Sequence, residues 1–140
     1  MQTAYLAGGC FWCVEAIFQR LKGVKGLTNG YCNGSTENPS YEEICSGQTG
    51  HAEAVKIEFD ESEISFSDLL EVFFLTHDPT SLNRQGSDVG IQYRSAVFYI
   101  NSEQRDLAKT AIASIPNAVT EISPLDVFYA AENYHQNYYN

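Results

Sequence analysis

The chain is poor in basic residues, in long apolar runs and in cysteine, and each scarcity removes a class of protein. Eight lysines and arginines stand against 18 aspartates and glutamates, a formal charge of −10 at neutral pH. The densest basic region is only Arg20, Lys22 and Lys25. Such a chain repels a phosphate backbone or an anionic lipid surface, so neither nucleic acid nor membrane is expected as a partner. No run approaches the 18 or so consecutive apolar residues of a membrane-spanning helix. The opening Met1-Gln2-Thr3-Ala4-Tyr5-Leu6-Ala7 has no basic segment before its short apolar stretch. It reads as a first strand rather than a secretory signal, which makes the cytoplasm the expected compartment. Repeats, linkers and low-complexity tracts are missing too. What remains is one expected domain over residues 1–140. A chain of this length buries about 68–70% of its unfolded surface, enough for a core without staples. With 44% hydrophobic and 19% charged residues, it is neither a disordered tail, a collagen nor a coiled coil.

Four cysteines, at positions 10, 13, 32 and 45, are few for a disulfide scaffold of this length. In a reducing compartment cysteines are core filler, metal ligands or redox catalysts, and the C-x-x-C of Cys10 and Cys13 leaves the last two open.

Periodicity gives an alternation of strands and helices. Residues 4–7 read as a buried strand ending at Gly8-Gly9. Val14, Ile17, Phe18 and Leu21 share one helical face, which predicts a helix to about Lys22, stopped by Gly23. A weaker strand spans 24–31. Ser40 and Glu43 form a possible capping box for a short helix ending before Gly47. Residues 52–59 alternate, with Glu53, Val55, Ile57 and Phe59 on one side. Phe66, Leu69, Leu70, Phe73 and Phe74 mark a strong helix. Residues 77–94 carry no period and read as a long functional loop. A strand at 95–100, a helix around Leu107–Ile115 capped by Ser102, and a last strand at 119–122 follow. The stretch 130–140 has no clear pattern. This order predicts an α/β or α+β sheet with helices packed on it and a site at one end.

The sharpest chemical feature is Gly8-Gly9-Cys10-Phe11-Trp12-Cys13. Two glycines end a strand and a helix starts at once, which puts Cys10 at a helix N-terminus, where unpaired N–H groups favour a thiolate. The plainer alternative is a small buried hydrophobe among core aromatics. Glu53 tips the balance. Its strand phase aims a carboxylate at an apolar layer, where burial raises its pKa and keeps it a proton donor. The competing reading is a frayed strand end with Glu53 in solvent. Tyr41 lies at the start of the short helix, and Tyr93 at the exit of the long loop that carries Gln85, Gly86 and Asp88. Zinc on Cys10 and Cys13 with His51 or His77 is disfavoured, because a structural site needs two close ligand pairs. A thioredoxin-like dithiol would leave the buried Glu53 and the long loop unused.

Gly9-Cys10-Phe11-Trp12 with Glu15, Asn38-Pro39-Ser40-Tyr41, Cys45-Ser46-Gly47, Thr49-Gly50-His51-Ala52-Glu53, His77-Asp78-Pro79, Arg84-Gln85-Gly86, Gln92-Tyr93-Arg94-Ser95, Tyr129-Ala130-Ala131-Glu132 and His135-Gln136 occur in this order. Together they resemble the A-type peptide methionine-sulfoxide reductases over almost the whole chain. The resemblance implies thiol-dependent reduction of the S-epimer of methionine sulfoxide, free or in proteins, with no cofactor. It implies a two-layer α+β fold with a mixed or antiparallel sheet and a ferredoxin-like core. It makes Cys10 the nucleophile, Glu53 the proton donor, Tyr41 and Tyr93 the ligands of the sulfoxide oxygen, Phe11 and Trp12 the pocket aromatics and Asp88 a site residue. Thioredoxin or another dithiol is the implied reductant, and a monomer is expected. A catalytically silent family member that binds methionine-rich partners is the alternative.

The chain departs from the family pattern in two places. Many relatives carry a recycling cysteine in a C-terminal tail, whereas no cysteine follows Cys45 here. Cys13 stands where glycine is common, and Cys32 lies in a stretch often free of cysteine. Cys13, three residues from Cys10 on one helix face, ranks first as the resolving thiol. Cys32, before the Asn33-Gly34 turn, ranks second. A tail cysteine or none completes the alternatives, and Cys45 reads as packing.

Overall fold

Apolar alternation builds the sheet. A computed structural model describes residues 1–136 apart from 36, 38, 47, 48 and 87. Asn38 and Gly47, which belong to quoted motifs, and the last four residues of the unpatterned C-terminus therefore lie outside the described residues. Strand β1 (Gln2–Ala7), β2 (Val24–Cys32) and β3 (Ala52–Phe59) hold the centre of the fold. Two-residue strands β4 (Arg84–Gln85) and β5 (Asp88–Val89) form a separate hairpin. Strands β6 (Ala96–Tyr99), β7 (Glu121–Pro124) and β8 (Phe128–Ala130) complete the main sheet, in the order β7-β6-β1-β3-β2-β8. β6 and β7 run parallel; every other pair is antiparallel.

The sheet is buried unequally on its two faces. Leu6, Val55 and Ile57 face helices α1 (Phe11–Phe18), α3 (Phe66–Thr76) and α4 (Ser102–Ala113), which supply Val14, Phe18, Leu69, Leu70, Phe73 and Ala108. The opposite face is mostly small: Ala7, Cys32, Ala52, Ala54, Ala96 and Phe98, covered by Tyr5, Leu125 and Phe128. The central order β6-β1-β3-β2, with α1 and α3 as crossovers, is the split βαβ arrangement of a ferredoxin-like core. The expected α+β architecture with a mixed sheet is therefore the observed one.

Several local expectations hold and several change. Helix α2 (Tyr41–Cys45) begins with the expected capping box: the Glu43 N–H donates to Ser40 Oγ at 3.2 Å, and the Ser40 N–H to Glu43 Oε1 at 3.0 Å. Helix α1 starts earlier than the apolar stripe suggests and ends at Phe18. Beyond it, Arg20 and Leu21 N–H groups reach back only three residues, to Ile17 and Phe18, so the chain tightens into turns before Gly23. Asn101, not Ser102, caps α4, its Oδ1 accepting from the Gln104 N–H at 2.9 Å. The long segment 77–94 is not structureless. It holds the β4–β5 hairpin and a 3-10 turn, Ile91–Tyr93. Gln85 fixes the hairpin's base, accepting from the Asp78 N–H at 2.7 Å and donating to the Asp78 carbonyl at 2.6 Å. β8 escaped the sequence reading because three residues show no period.

Gly9 joins strand and helix with φ +84, and a Cβ there would lie 2.9 Å from Gln85 Cγ. Gly9→Ala combines left-handed strain with a clash against the hairpin. We expect it to cost about 1–2 kcal/mol from the backbone alone, measured by denaturant unfolding; an unchanged midpoint would show that the turn relaxes freely.

Candidate active site

Cys10 occupies the N-cap of α1, with extended backbone (φ −67, ψ 123), and its carbonyl accepts from the Cys13 and Val14 N–H groups. The thiol is only partly exposed. The expected low pKa is not found. Burial and then the charge of Glu53 push the Cys10 thiol up, to about 12, against the pull of the Trp12 and Cys13 backbone N–H groups. The helix terminus acts in the expected direction, but dehydration and a neighbouring carboxylate outweigh it.

Glu53 faces the core as its strand phase predicts and is 1% exposed. Its Oε1 accepts from the Phe11 N–H at 3.3 Å, one residue from Cys10. Its Oε2 is buried without a hydrogen-bond partner among the described residues. Burial raises the Glu53 pKa to about 8; the Phe11 N–H opposes this and Asp88 reinforces it. At neutral pH the carboxyl carries a proton, and the charge that opposes the Cys10 thiolate is largely absent.

Tyr41 and Tyr93 complete a shell around this pair. Burial pushes both hydroxyls up, and the Glu53 charge acts on each. The Tyr41 hydroxyl is hydrogen-bonded with the Cys45 thiol, and Tyr93 also feels Cys45 and Asp88. Tyr93 arrives on the 3-10 turn and Asp88 on β5, opposite Gln85. Six groups expected to meet from the sequence, Cys10, Glu53, Tyr41, Tyr93, Asp88 and Trp12, are thus drawn together from separate elements. Phe11 differs from expectation: it is buried, its ring 5.8 Å from Tyr31, so Trp12 is the aromatic ring that reaches the surface.

Cys45 corrects the packing assignment. It is exposed at the end of α2 rather than packed. Cys32 is equally unlike the mobile thiol imagined for it. It is 0% exposed in β2, opposite Ala52, on the sheet face turned away from Glu53. Cys13 is exposed one turn into α1. The two histidines weighed for zinc are engaged elsewhere. The Gly34 N–H donates to His51 Nδ1 at 2.9 Å, and His77 meets the Phe73 carbonyl and the Ser95 hydroxyl. Among the described residues no three His, Cys, Asp or Glu side chains are placed to hold a metal ion.

The C-terminal motif supplies parts that the sequence reading quoted without a role. Glu132 accepts from the Tyr31 hydroxyl and the Tyr41 N–H, both at 3.1 Å, which ties β2 to the start of α2. Burial pushes its carboxyl up, but the N–H and hydroxyl donors prevail and hold it below its ordinary value. The Gln136 amide pairs with the Asn29 backbone like a strand: it accepts from the N–H at 2.8 Å and donates to the carbonyl at 2.9 Å. Between them His135 packs against Trp12 at 5.3 Å and Tyr41 at 4.5 Å. Polar residues set among the aromatics of an otherwise unpatterned tail were the available signal.

With this geometry, comparison with known proteins is decisive. The model of the family described as peptide methionine sulfoxide reductase matches residues 2–140. The chain belongs to that family. Its members are oxidoreductases, and the similarity extends well beyond the site. The chain is 62% identical to the peptide methionine sulfoxide reductase MsrA of Vesicomyosocius okutanii, over 100% of this chain and 86% of that protein. The reduced form of Mxr1 from Saccharomyces cerevisiae superposes with a TM-score of 0.92 at 35% identity, covering 98% of this chain and 83% of that one. Methionine sulfoxide reductase A of Corynebacterium diphtheriae gives 0.87 at 35% identity, covering 98% and 73%. No helix among the described residues of this reductase is long and apolar enough to cross a membrane.

Proposed function

We propose that this reductase acts on the S-epimer of methionine sulfoxide, free and in proteins, with Cys10 as nucleophile and Glu53 as proton donor. The observation that carries the reading is the buried Glu53 carboxyl next to Cys10, whose pKa burial raises to about 8 and whose Oε2 has no hydrogen-bond partner among the described residues. Glu53 protonates the sulfoxide oxygen while the Cys10 sulfur attacks the sulfoxide sulfur. Tyr41 and Tyr93 donate to the oxygen as its bond to sulfur weakens. The oxygen, keeping the proton from Glu53, then passes to the Cys10 sulfur as the new sulfur–sulfur bond and the old sulfur–oxygen bond break; methionine leaves, Cys10 is a sulfenic acid, and the thiol proton returns to Glu53. Each turnover thus oxidises one thiol by two electrons and reduces one sulfoxide by two. Trp12, backed by Phe11, lies against the S-methyl group, and Asp88 keeps Glu53 basic enough to be reprotonated.

The second half returns Cys10 to the thiol. Cys13 attacks the sulfenic acid, water leaves and a Cys10–Cys13 disulfide forms; a dithiol then reduces it by exchange. The yeast relative Mxr1 has been captured in complex with Trx2, which supports thioredoxin as that dithiol. The cytoplasm, where such dithiols are kept reduced, is the corresponding location. All the groups in this scheme come from one chain, so a monomer suffices.

Turnover of methionine sulfoxide with dithiothreitol tests the reading against the silent binder, which would give none. Treatment with one equivalent of sulfoxide, thiol blocking and mass spectrometry tests the recycling step. A Cys10–Cys13 bond is expected. A lasting sulfenic acid on Cys10 would remove Cys13 from the scheme and leave recycling to an external thiol. A Cys10–Cys32 bond would require β2 to leave the sheet.

A further inference from the structure

Tyr93 reaches the site on a slender piece of backbone. Its turn, Ile91–Tyr93, is a single 3-10 turn without a side-chain cap, entered through Gly90 at φ 143 and preceded by strands of two residues. The turn's own bonds reach back only three residues. The Tyr93 N–H donates to the Gly90 carbonyl at 3.0 Å and the Arg94 N–H to the Ile91 carbonyl at 3.2 Å, a tight geometry that makes poor hydrogen bonds. The Tyr93 hydroxyl, hydrogen-bonded with that of Tyr41, lies at the far end of a long side chain, so a small tilt of the turn is magnified there. A misplacement of about 1 Å in a positioning group can cost on the order of a hundredfold in rate.

Arg94, the next residue, braces this turn. Its Nη1 donates to the Ile91 carbonyl at 2.9 Å, the same acceptor that takes its N–H, and its Nε donates to Glu121 Oε1 at 3.1 Å. One planar guanidinium thus ties the first residue of the turn to β7. Glu121 is itself fixed: its Oε2 accepts from the Ser123 hydroxyl at 2.8 Å, its N–H donates to the Ser95 carbonyl at 2.9 Å, and it stands opposite Ala96 in the parallel pair. Lysine could make either bond of the brace but not both, because its donors share one nitrogen. The Glu121 side chain is 38% exposed, so the ion pair adds little to stability. The Arg94 charge acts on Cys32, on the sheet face turned away from Glu53, which places the guanidinium behind the turn rather than against a substrate.

We propose that Arg94, held by Glu121, is a positioning residue of the reduction, which keeps the Tyr93 hydroxyl in register with the sulfoxide oxygen. That oxygen gains charge only as its bond to sulfur weakens. Loss of register therefore lowers the rate of the chemical step more than it weakens binding. Tyr41 holds the same oxygen and masks part of the loss, so the effect of Arg94 is largest where Tyr41 has no hydroxyl.

The inference rests on the reductase reading with its two tyrosine ligands, and two backgrounds isolate it. The measurement is the single-turnover release of methionine from methionine sulfoxide, which is independent of recycling. In Tyr41→Phe protein, Arg94→Met should lower the maximal rate at least tenfold and change the half-saturating sulfoxide concentration less than threefold. In Tyr93→Phe protein no hydroxyl is left for Arg94 to place, and the same substitution should lower the rate less than twofold. A merely structural role would slow both backgrounds alike, so two factors that differ by less than fivefold overturn the proposal, whatever their size. Should Arg94→Met not fold, Glu121→Ala removes the outer half of the brace from its exposed side. It should slow the Tyr41→Phe background at least threefold more than the Tyr93→Phe background, and a smaller difference overturns the proposal. A protein with both tyrosines changed to phenylalanine that turns over as fast as the unaltered one would overturn the inference together with the oxygen-ligand role beneath it. No turnover by the unaltered protein would instead remove the reductase reading itself.

Discussion

Cys10→Ser is expected to leave no measurable sulfoxide reduction with any reductant, a loss of more than a hundredfold and so of more than about 2.7 kcal/mol in barrier. The substitution removes little volume at the N-cap, and serine caps a helix well, so the fold should survive. What is lost is the only sulfur bordered by the Glu53 carboxyl, the α1 N–H groups and Trp12. The high pKa of Cys10 makes this stronger. A thiol pushed to about 12 is not reactive on its own account. Attack depends on the proton that Glu53 delivers to the oxygen and on a charge-free carboxyl beside the sulfur. Alkylation of Cys10 by iodoacetamide in the absence of substrate should accordingly be slow at pH 7. Residual turnover above about one per cent of the unaltered rate would sink the nucleophile assignment.

Glu53→Gln should lose about 10²–10⁴ in rate, the span of a general acid that can no longer transfer a proton. The amide keeps the shape and a donor, so binding should change less than turnover. In the unaltered protein the rate should fall as pH rises through about 8, where Glu53 ionises and its charge also opposes the Cys10 thiolate. The variant should lack that limb. An unchanged rate for the glutamine variant would mean that another group supplies the proton. Stability supplies an independent reading. The folded pKa of Glu53 lies above its ordinary value of 4.5. Its contribution is therefore fully present below pH 4.5 and is lost as pH rises through about 8. The unfolding free energy of Glu53→Gln should overtake that of the unaltered protein above pH 8, by an amount on the order of a few kcal/mol, measured by denaturant unfolding.

Legibility from sequence followed the kind of force involved. Burial against a sheet leaves a period, so β3 was bounded at Ala52 and Phe59 and Glu53 was assigned to the core face. Local hydrogen-bond chemistry leaves a spacing, so the Ser40–Glu43 box could be read. The β4–β5 hairpin had neither, because two-residue strands are held by the Gln85 amide on the Asp78 backbone rather than by a pattern. The C-terminal clamp failed for the same reason: Gln136 imitates a strand with its side chain, and no propensity records that. At the site, residue types and positions were legible and energetics only in part. Dipole reasoning gave Cys10 the wrong sign, since it used the helix and omitted the burial of the thiol and the charge of Glu53. Cys32 and Cys45 exchanged characters, because the exposure of a cysteine depends on which sheet face and which helix end it occupies.

The sealing of Cys32 has a use in the test tube. Cys10, Cys13 and Cys45 all have some access to solvent, whereas Cys32 has none, between Ala52 and Phe128 on the alanine face of the sheet. A thiol reagent must therefore wait for β2 to separate from a neighbour before it can modify this sulfur. In Cys10→Ser protein, where the slow Cys10 thiol is gone, the slow third equivalent of label becomes a clock for opening of the sheet, read by mass on the native protein without denaturant. Under fast reclosure its rate reports the opening equilibrium, and substrate or salt that stabilises the sheet would register as a delay in that single mass increment.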